Sequence, residues 1–171
     1  MRTVTPMPKL ASNPFKKHQH SQCIRDALHS AEGLCKKNGF RLSNVRKRVL
    51  ELIWESHQAL GAYAILEQLG KEGVKPAPPT VYRALDFLLE AGLVHRINSL
   101  NAYIGCNHPK DSHHGSYFLI CQHCHIVAEI HDKRIDEEVA SLAERERFSI
   151  SERALEISGT CQHCQETQHA R

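Results

Sequence analysis

Two pairs of cysteines carry the clearest chemical signal in this chain. Cys121-x-x-Cys124 and Cys161-x-x-Cys164 each place two thiols three positions apart, the spacing at which one tight turn turns both sulfurs toward a single ion. Two such turns complete a tetrahedral sulfur site for zinc, and four protein ligands leave no open position for a reacting water. A CxxC can instead be a redox dithiol, and four cysteines can simply be unconnected buried thiols. Two copies, each at a strand end with a helix-sized segment between them, favour zinc. The ion would then staple the end of the chain to its central sheet, in a domain too small to hold itself comfortably.

The other soft and borderline donors gather in the same region. Of the 7 cysteines, five lie after residue 99 (Cys106 with the four above), as do 8 of the 13 histidines. No apolar run approaches the ~20 residues that cross a bilayer. The first twenty residues contain basic groups but no apolar core, so no signal peptide and a cytoplasmic location are expected. In a reducing compartment, clustered Cys and His read as metal ligands rather than as a disulfide frame. Cys23 and Cys35 lie in an amphipathic stretch and read as small, half-buried helix residues.

Charge divides the chain at a similar point. Residues 1–98 hold 15 Lys and Arg against 8 Asp and Glu, a net +7, and residues 99–171 hold 7 against 11, a net −4. A basic half meets a polyanion more readily than an acidic one does. The hydrophobic content of 41% and charged content of 24% are those of a folded globular protein.

The elements that would position these residues follow from periodicity. Residues 1–20 read as a flexible basic tail. Helical patterns run from Ser21 to Lys37, from a cap at Ser43 or Asn44, and from Ala62 to Leu69. Lys75-Pro-Ala-Pro-Pro is a stiff connector into a fourth helix, TVYRALDFLLEAG, opened by Pro79 or Thr80. On its wheel Val81, Ala84, Leu85, Leu88 and Ala91 share one face, and Tyr82, Arg83, Asp86 and Glu90 point away. Two short strands follow, LVHRIN and AYIGC, joined by a turn. Helices ending in a hairpin make a winged helix-turn-helix unit, in which the exposed face of the last helix enters the major groove. A solvated helix face is the plain alternative for Tyr82 and Arg83, and the Pro-rich turn, the hairpin and the basic balance favour DNA.

The second half reads as strands at SYFLIC and IVAEIH, a helix from about Lys133 to Arg147, and a strand at FSISERALEIS. The expected fold class is therefore α+β, an N-terminal winged helix (residues 21–98), a hinge (99–102), and a small α/β dimerisation domain with a four-cysteine zinc site (103–171). No HExxH, GxSxG or phosphate-loop motif is present, which argues against a zinc hydrolase or another enzyme.

Taken together, KPAPPTVYRALDFLLEAGLVHRI and the two CQHC turns resemble the ferric uptake regulator superfamily of metal-responsive repressors, over roughly Cys23 to Cys164. Within it the chain is most similar to the zinc-sensing branch. The resemblance implies a homodimer that binds a palindromic operator in double-stranded DNA, with no membrane and no small-molecule substrate as partner. It implies two zinc ions per protomer, one of them regulatory, held by His95, Cys106, His114 and Glu129. Read without the family, His95 is a surface strand residue and Glu129 any polar strand position. Iron-sensing members carry HHDH where this chain has His113-His114-Gly115-Ser116, and Cys106 adds a soft donor, so zinc is expected rather than iron or peroxide sensing. His108, His113, His123, His125 and His131 are spare donors that read as loop residues. On DNA, the expected contacts are Arg83 to a guanine, Tyr82 and Tyr63 to bases or sugars, and Arg41, Arg46 and Arg48 to phosphates.

Overall fold

The computed structural model describes residues 14–15, 20–73, 76–107, 109 and 116–169. Four helices come first: α1 (His20–Lys37), α2 (Asn44–Trp54), α3 (Ala62–Lys71) and α4 (Pro78–Glu90). A hairpin of β1 (Val94–Ile97) and β2 (Ala102–Gly105) follows. The second half contains β3 (Ser116–Cys121), β4 (Val127–Ile130), α5 (Lys133–Arg145), β5 (Ala154–Gly159) and α6 (Gln162–His169).

Local chemistry explains the boundaries of the first half. Ser43 caps α2 by accepting from the Arg46 N–H. Two prolines open α4, where a missing N–H costs nothing. Gly92, at φ +64°, lets the chain leave α4, and the Leu93 N–H returns to the Leu88 carbonyl at 2.9 Å. Val81, Ala84, Leu85 and Leu88 are buried as the wheel requires. They pack with Val49, Leu50, Ile53, Ile65 and Leu69 into one core that also takes in Val94 and Tyr103 of the hairpin.

Gly105 ends β2 where only glycine fits. A Cβ there would lie 2.1 Å from Cε2 of Trp54, so the indole of α2 lies directly on the backbone that leads into Cys106.

Two of the basic residues expected on phosphates also make contacts within the protein. The Arg46 guanidinium lies 3.6 Å over the Phe87 ring and donates to the Arg41 carbonyl at 2.7 Å. Arg48 pairs with Glu51, Glu55 and Glu72, tying α2 to the turn after α3.

The second half is a sheet in the order β4-β3-β5, with β3 antiparallel to β4 and parallel to β5. Alternation divides the β3 side chains between two environments. Phe118 and Ile120 join Ile97, Ile104 and Val127 in a second core between the hairpin and the sheet. Tyr117 points the other way, and its hydroxyl donates to Asp136 of α5 at 2.6 Å.

Three expectations need correction. The stretch expected as a hinge is the turn of the β1–β2 hairpin: a 3-10 turn at Asn98–Leu100 closed by left-handed Asn101, φ 47°. Because Ile97 is paired with Ala102 across it, a bend between the halves has to fall after β2. The helix expected over 133–147 ends at Arg145 and the strand expected over FSISERALEIS begins only at Ala154; α5 has no buried residue and β5 is exposed along nearly its whole length. Finally, α6 has no counterpart among the expected elements, because QHCQETQH is too short and polar to show an apolar period.

Candidate metal centres and nucleic-acid interface

The two CxxC turns meet at one end of the sheet. Cys121 ends β3, Cys124 lies in the turn to β4, Cys161 follows β5, and Cys164 lies in the first turn of α6. Left-handed His125, φ 57°, closes the first turn, and its N–H donates to the Cys121 carbonyl at 2.9 Å. All four sulfurs lie within 4.8 Å of one another, with Cys124 and Cys161 3.8 Å apart. Two sulfurs bound tetrahedrally at about 2.3 Å per bond stand about 3.8 Å apart, so the four thiols fit a zinc ion.

The four thiols are not electrostatically equal. Burial disfavours the Cys121 thiolate, but N–H groups of Cys124, Cys161 and His123 outweigh it and draw its pKa down to about 5. Burial together with the neighbouring thiols pushes Cys164 up to about 12, and burial also raises Cys124. Charge therefore settles first on Cys121, and a divalent cation would favour ionisation of Cys124 and Cys164 beside it.

A second cluster forms where the hairpin faces the sheet. His95 of β1, Cys106 just beyond β2 and Glu129 of β4 bring one donor atom each within 4.8 Å of one another. His95 Nε2 lies 3.0 Å from Glu129 Oε1. The other carboxylate oxygen accepts the N–H of Asn107, the residue after Cys106, at 2.8 Å. Phe118 meets the His95 ring edge-on, with centroids 5.3 Å apart. An imidazole, a thiolate and a carboxylate in a partly buried pocket are a donor set suited to zinc. His114, the fourth expected ligand, lies outside the described residues, as do His108 and His113.

Two further ties join the halves, and neither is legible in the sequence. The connector between α2 and α3 runs beside the zinc turn. There Gln58 Nε2 donates to the Cys124 carbonyl at 2.9 Å, and the Val127 N–H donates to the His57 carbonyl at 3.0 Å. On the hairpin side, Glu156 of β5 accepts the backbone N–H groups of Asn98 and Ser99.

The face of α4 away from the core carries Tyr82 and Arg83, both exposed. Tyr63, in the first turn of α3, is 78% exposed. A tyrosine this open presents an apolar surface with a polar tip to solvent.

Comparison with known proteins places this geometry. A model of the ferric uptake regulator family matches residues 37–158. The zinc uptake regulation protein of Escherichia coli K12 is 35% identical over 147 residues, covering 86% of each chain. A solved zinc uptake regulator in complex with zinc and DNA superimposes with a TM-score of 0.80 at 34% identity, covering 85% of this chain and 97% of that one. The crystal structure of holo XcZur gives 0.75 at 34% identity, covering 86% and 99%.

Proposed function

We propose a function from one premise: the chain belongs to the ferric uptake regulator family. It is a zinc-responsive, DNA-binding transcriptional repressor, with zinc as co-repressor, and it controls genes of zinc uptake and homeostasis. The observation that carries this reading is the convergence of His95, Cys106 and Glu129 from the two sides of the boundary between hairpin and sheet. The relatives named for zinc uptake, one of them solved with zinc and DNA, support the choice of metal and of partner. The thiolate of Cys106 supports zinc over ferrous iron on chemical grounds.

The DNA-binding half is α1 through β2, and the metal-binding half is β3 through α6. Zinc at the second cluster would supply a charged centre that holds imidazole, thiolate and carboxylate together. The protein does the rest. His95 lies in the first strand of the hairpin and Cys106 just beyond the second, so holding them fixes the wing. Glu129 belongs to the sheet, so holding it fixes the wing relative to the sheet. Metal binding and DNA binding then share one closed arrangement, and each raises the affinity of the other by the same factor. His114 is proposed as the fourth ligand. The four-cysteine centre is structural and holds α6 and the end of β5 to the β3–β4 turn.

The working unit is a homodimer. β5 is an edge strand whose Leu155 and Ile157 are exposed, next to Leu142 (51% exposed) and Phe148 (69% exposed). An apolar face of this kind is covered by a second copy in a two-fold, self-complementary interface. The dimer presents two α4 helices to half-sites about one helical turn apart. Sites whose positions are filled by protein ligands leave no place for a reactive water, so the chain acts by binding rather than by catalysis. Among the described residues no helix is long and apolar enough to cross a membrane, and a repressor of this kind works in the cytoplasm.

A shift assay on genomic fragments tests the reading. Fragments retained with zinc, released by a chelator and retained again on adding zinc are the expected result. Retention that ignores the chelator overturns it.

A further inference from the structure

One row of side chains crosses the second sheet on the face turned to the wing. Phe118 of β3 is opposite Glu129 of β4 on one side and Glu156 of β5 on the other, and residues directly opposed in neighbouring strands share a face. Two of the three belong to the second metal cluster, Glu129 as a donor and Phe118 against the His95 ring. Glu156 is the end of the row that this cluster does not use.

Its carboxylate is engaged nonetheless. Oε1 accepts the Asn98 N–H at 2.6 Å and Oε2 the Ser99 N–H at 3.0 Å. These N–H groups open the 3-10 turn between β1 and β2, and the first donors of a helical turn have no partner within it. A carboxylate that takes both is a charge-assisted pair, roughly twice as strong as the neutral equivalent. The turn it holds is braced from within, because Arg96 donates to the Asn101 side chain at 2.9 Å.

We propose that Glu156 is a positioning residue for operator binding, clamping the tip of the wing to the sheet so that the metal centre fixes an angle and not merely a distance. The inference rests on the repressor reading above. The metal donors His95 and Cys106 hold the hairpin where β1 begins and β2 ends. Asn98 lies three residues further along from His95, about 10 Å away at ~3.3 Å per residue. A polar tie there adds direction to the apolar contact that Ile97 makes beside it. The clamp is made only in the closed arrangement, so it also raises the affinity of the regulatory site for zinc by linkage, while zinc-free binding to DNA in the open arrangement does not use it.

The test uses the full-length zinc-loaded protein, wild type against Glu156→Ala and Glu156→Gln, with Glu156→Gln retaining an acceptor should Glu156→Ala fold poorly. Three quantities are read: the affinity for a zinc-retained DNA fragment with and without chelator, regulatory zinc affinity by chelator competition, and amide exchange at Asn98 and Ser99. Glu156→Ala should keep two zinc ions per protomer and its zinc-free DNA affinity. It should lose about tenfold of the zinc-induced gain in DNA affinity, bind regulatory zinc more weakly, and exchange both amides faster. Glu156→Gln should fall between. A purely structural role would lower zinc-free and zinc-loaded DNA affinity together and leave the gain unchanged, and that result overturns the proposal. If wild-type DNA binding ignores zinc, the repressor reading fails by itself. Chelator competition and amide exchange then still decide the clamp.

Discussion

His95 Nε2 lies 3.0 Å from Glu129 Oε1, and the two residues belong to different halves of the chain. The contact is possible because His95 and Ile97 point off the same side of β1, and Ile97 packs with Phe118, Ile120 and Val127 of the sheet. The apolar contact brings the halves together but is indifferent to metal. The His95–Glu129 pair with Cys106 beside it is not, since imidazole, sulfur and carboxylate together form a donor set for zinc. Apolar packing therefore sets where the halves meet, and the proposed donor set would make the meeting responsive to zinc.

The two metal centres should separate by the consequence of losing them. Cys121→Ser or Cys164→Ser removes a ligand from a centre that joins the β3–β4 turn to α6, and zinc binding at such a centre is part of the folding free energy. These variants should unfold or aggregate in the second half. Cys106→Ser should remain a folded dimer, lose one zinc per protomer, and no longer tighten on DNA with zinc. Metal analysis, thermal melts and shift assays on the three proteins decide it. A Cys106→Ser protein that melts like Cys121→Ser would sink the division of roles.

Gly105→Ala should be costly although it adds a single methyl. The new Cβ would stand 2.1 Å from Trp54 Cε2, 2.3 Å from Nε1 and 2.6 Å from Cζ2, far inside contact distance. Either the indole leaves its place over β2 or β2 shifts and carries Cys106 with it. Overpacking of this kind costs about 1–3 kcal/mol. Trp54 is the only tryptophan in the chain, so its fluorescence reports the rearrangement directly while a melt reports the stability. Unchanged emission and unchanged melting would show that the strand accommodates the methyl.

The covering of the α5–β5 face is equally open to test. Ile157→Glu places a charge on an exposed apolar edge strand without replacing a metal ligand. It should shift the protein from dimer to monomer in analytical ultracentrifugation and keep the zinc held by the four cysteines. DNA affinity should fall because only one α4 then engages its half-site. A dimer that survives Ile157→Glu and Leu142→Glu together would place the interface elsewhere.

How much of this is legible in the sequence depends on whether the signal is local. α4 is legible because Val81, Ala84, Leu85 and Leu88 repeat at helical spacing between a proline start and Gly92. The CxxC turns are legible because the two cysteines of each pair stand three positions apart. His95, Cys106 and Glu129 are spread over separate segments of the chain, so no spacing rule joins them, and only the family resemblance brings them together. Glu156, Gln58 and His57 act on or through backbone atoms, which leave no mark on residue type. An acid in the alternating strand RALEIS is the one available hint for Glu156. The NSLN turn reads as a hinge because a polar hairpin turn and a polar linker have the same composition. The apolar period of α5 is plain in the sequence, but the burial it implies is absent within one chain, because its cover is proposed to be another copy.

The division of DNA binding between base reading and charge gives the last prediction. Arg83 is exposed on the outer face of α4, so Arg83→Ala should remove a base contact of ~1–3 kcal/mol and narrow the gap between operator and random DNA. Arg41, exposed in the connector before α2, should contact phosphate. Arg41→Ala should weaken operator and random DNA alike and flatten the salt dependence by about one unit of slope. Arg46 and Arg48 should behave differently from both. Arg46 is stacked on Phe87 and Arg48 is held by three carboxylates, so Arg46→Ala and Arg48→Ala should lower the melting temperature and leave the salt slope nearly unchanged. Affinities for a zinc-retained fragment and a scrambled one, measured at several salt concentrations with zinc saturating, separate the three classes. If Arg83→Ala lowers both affinities equally while Arg46→Ala alters the salt slope, α4 is not the reading helix, and the supporting helix α2 makes the phosphate contacts after all.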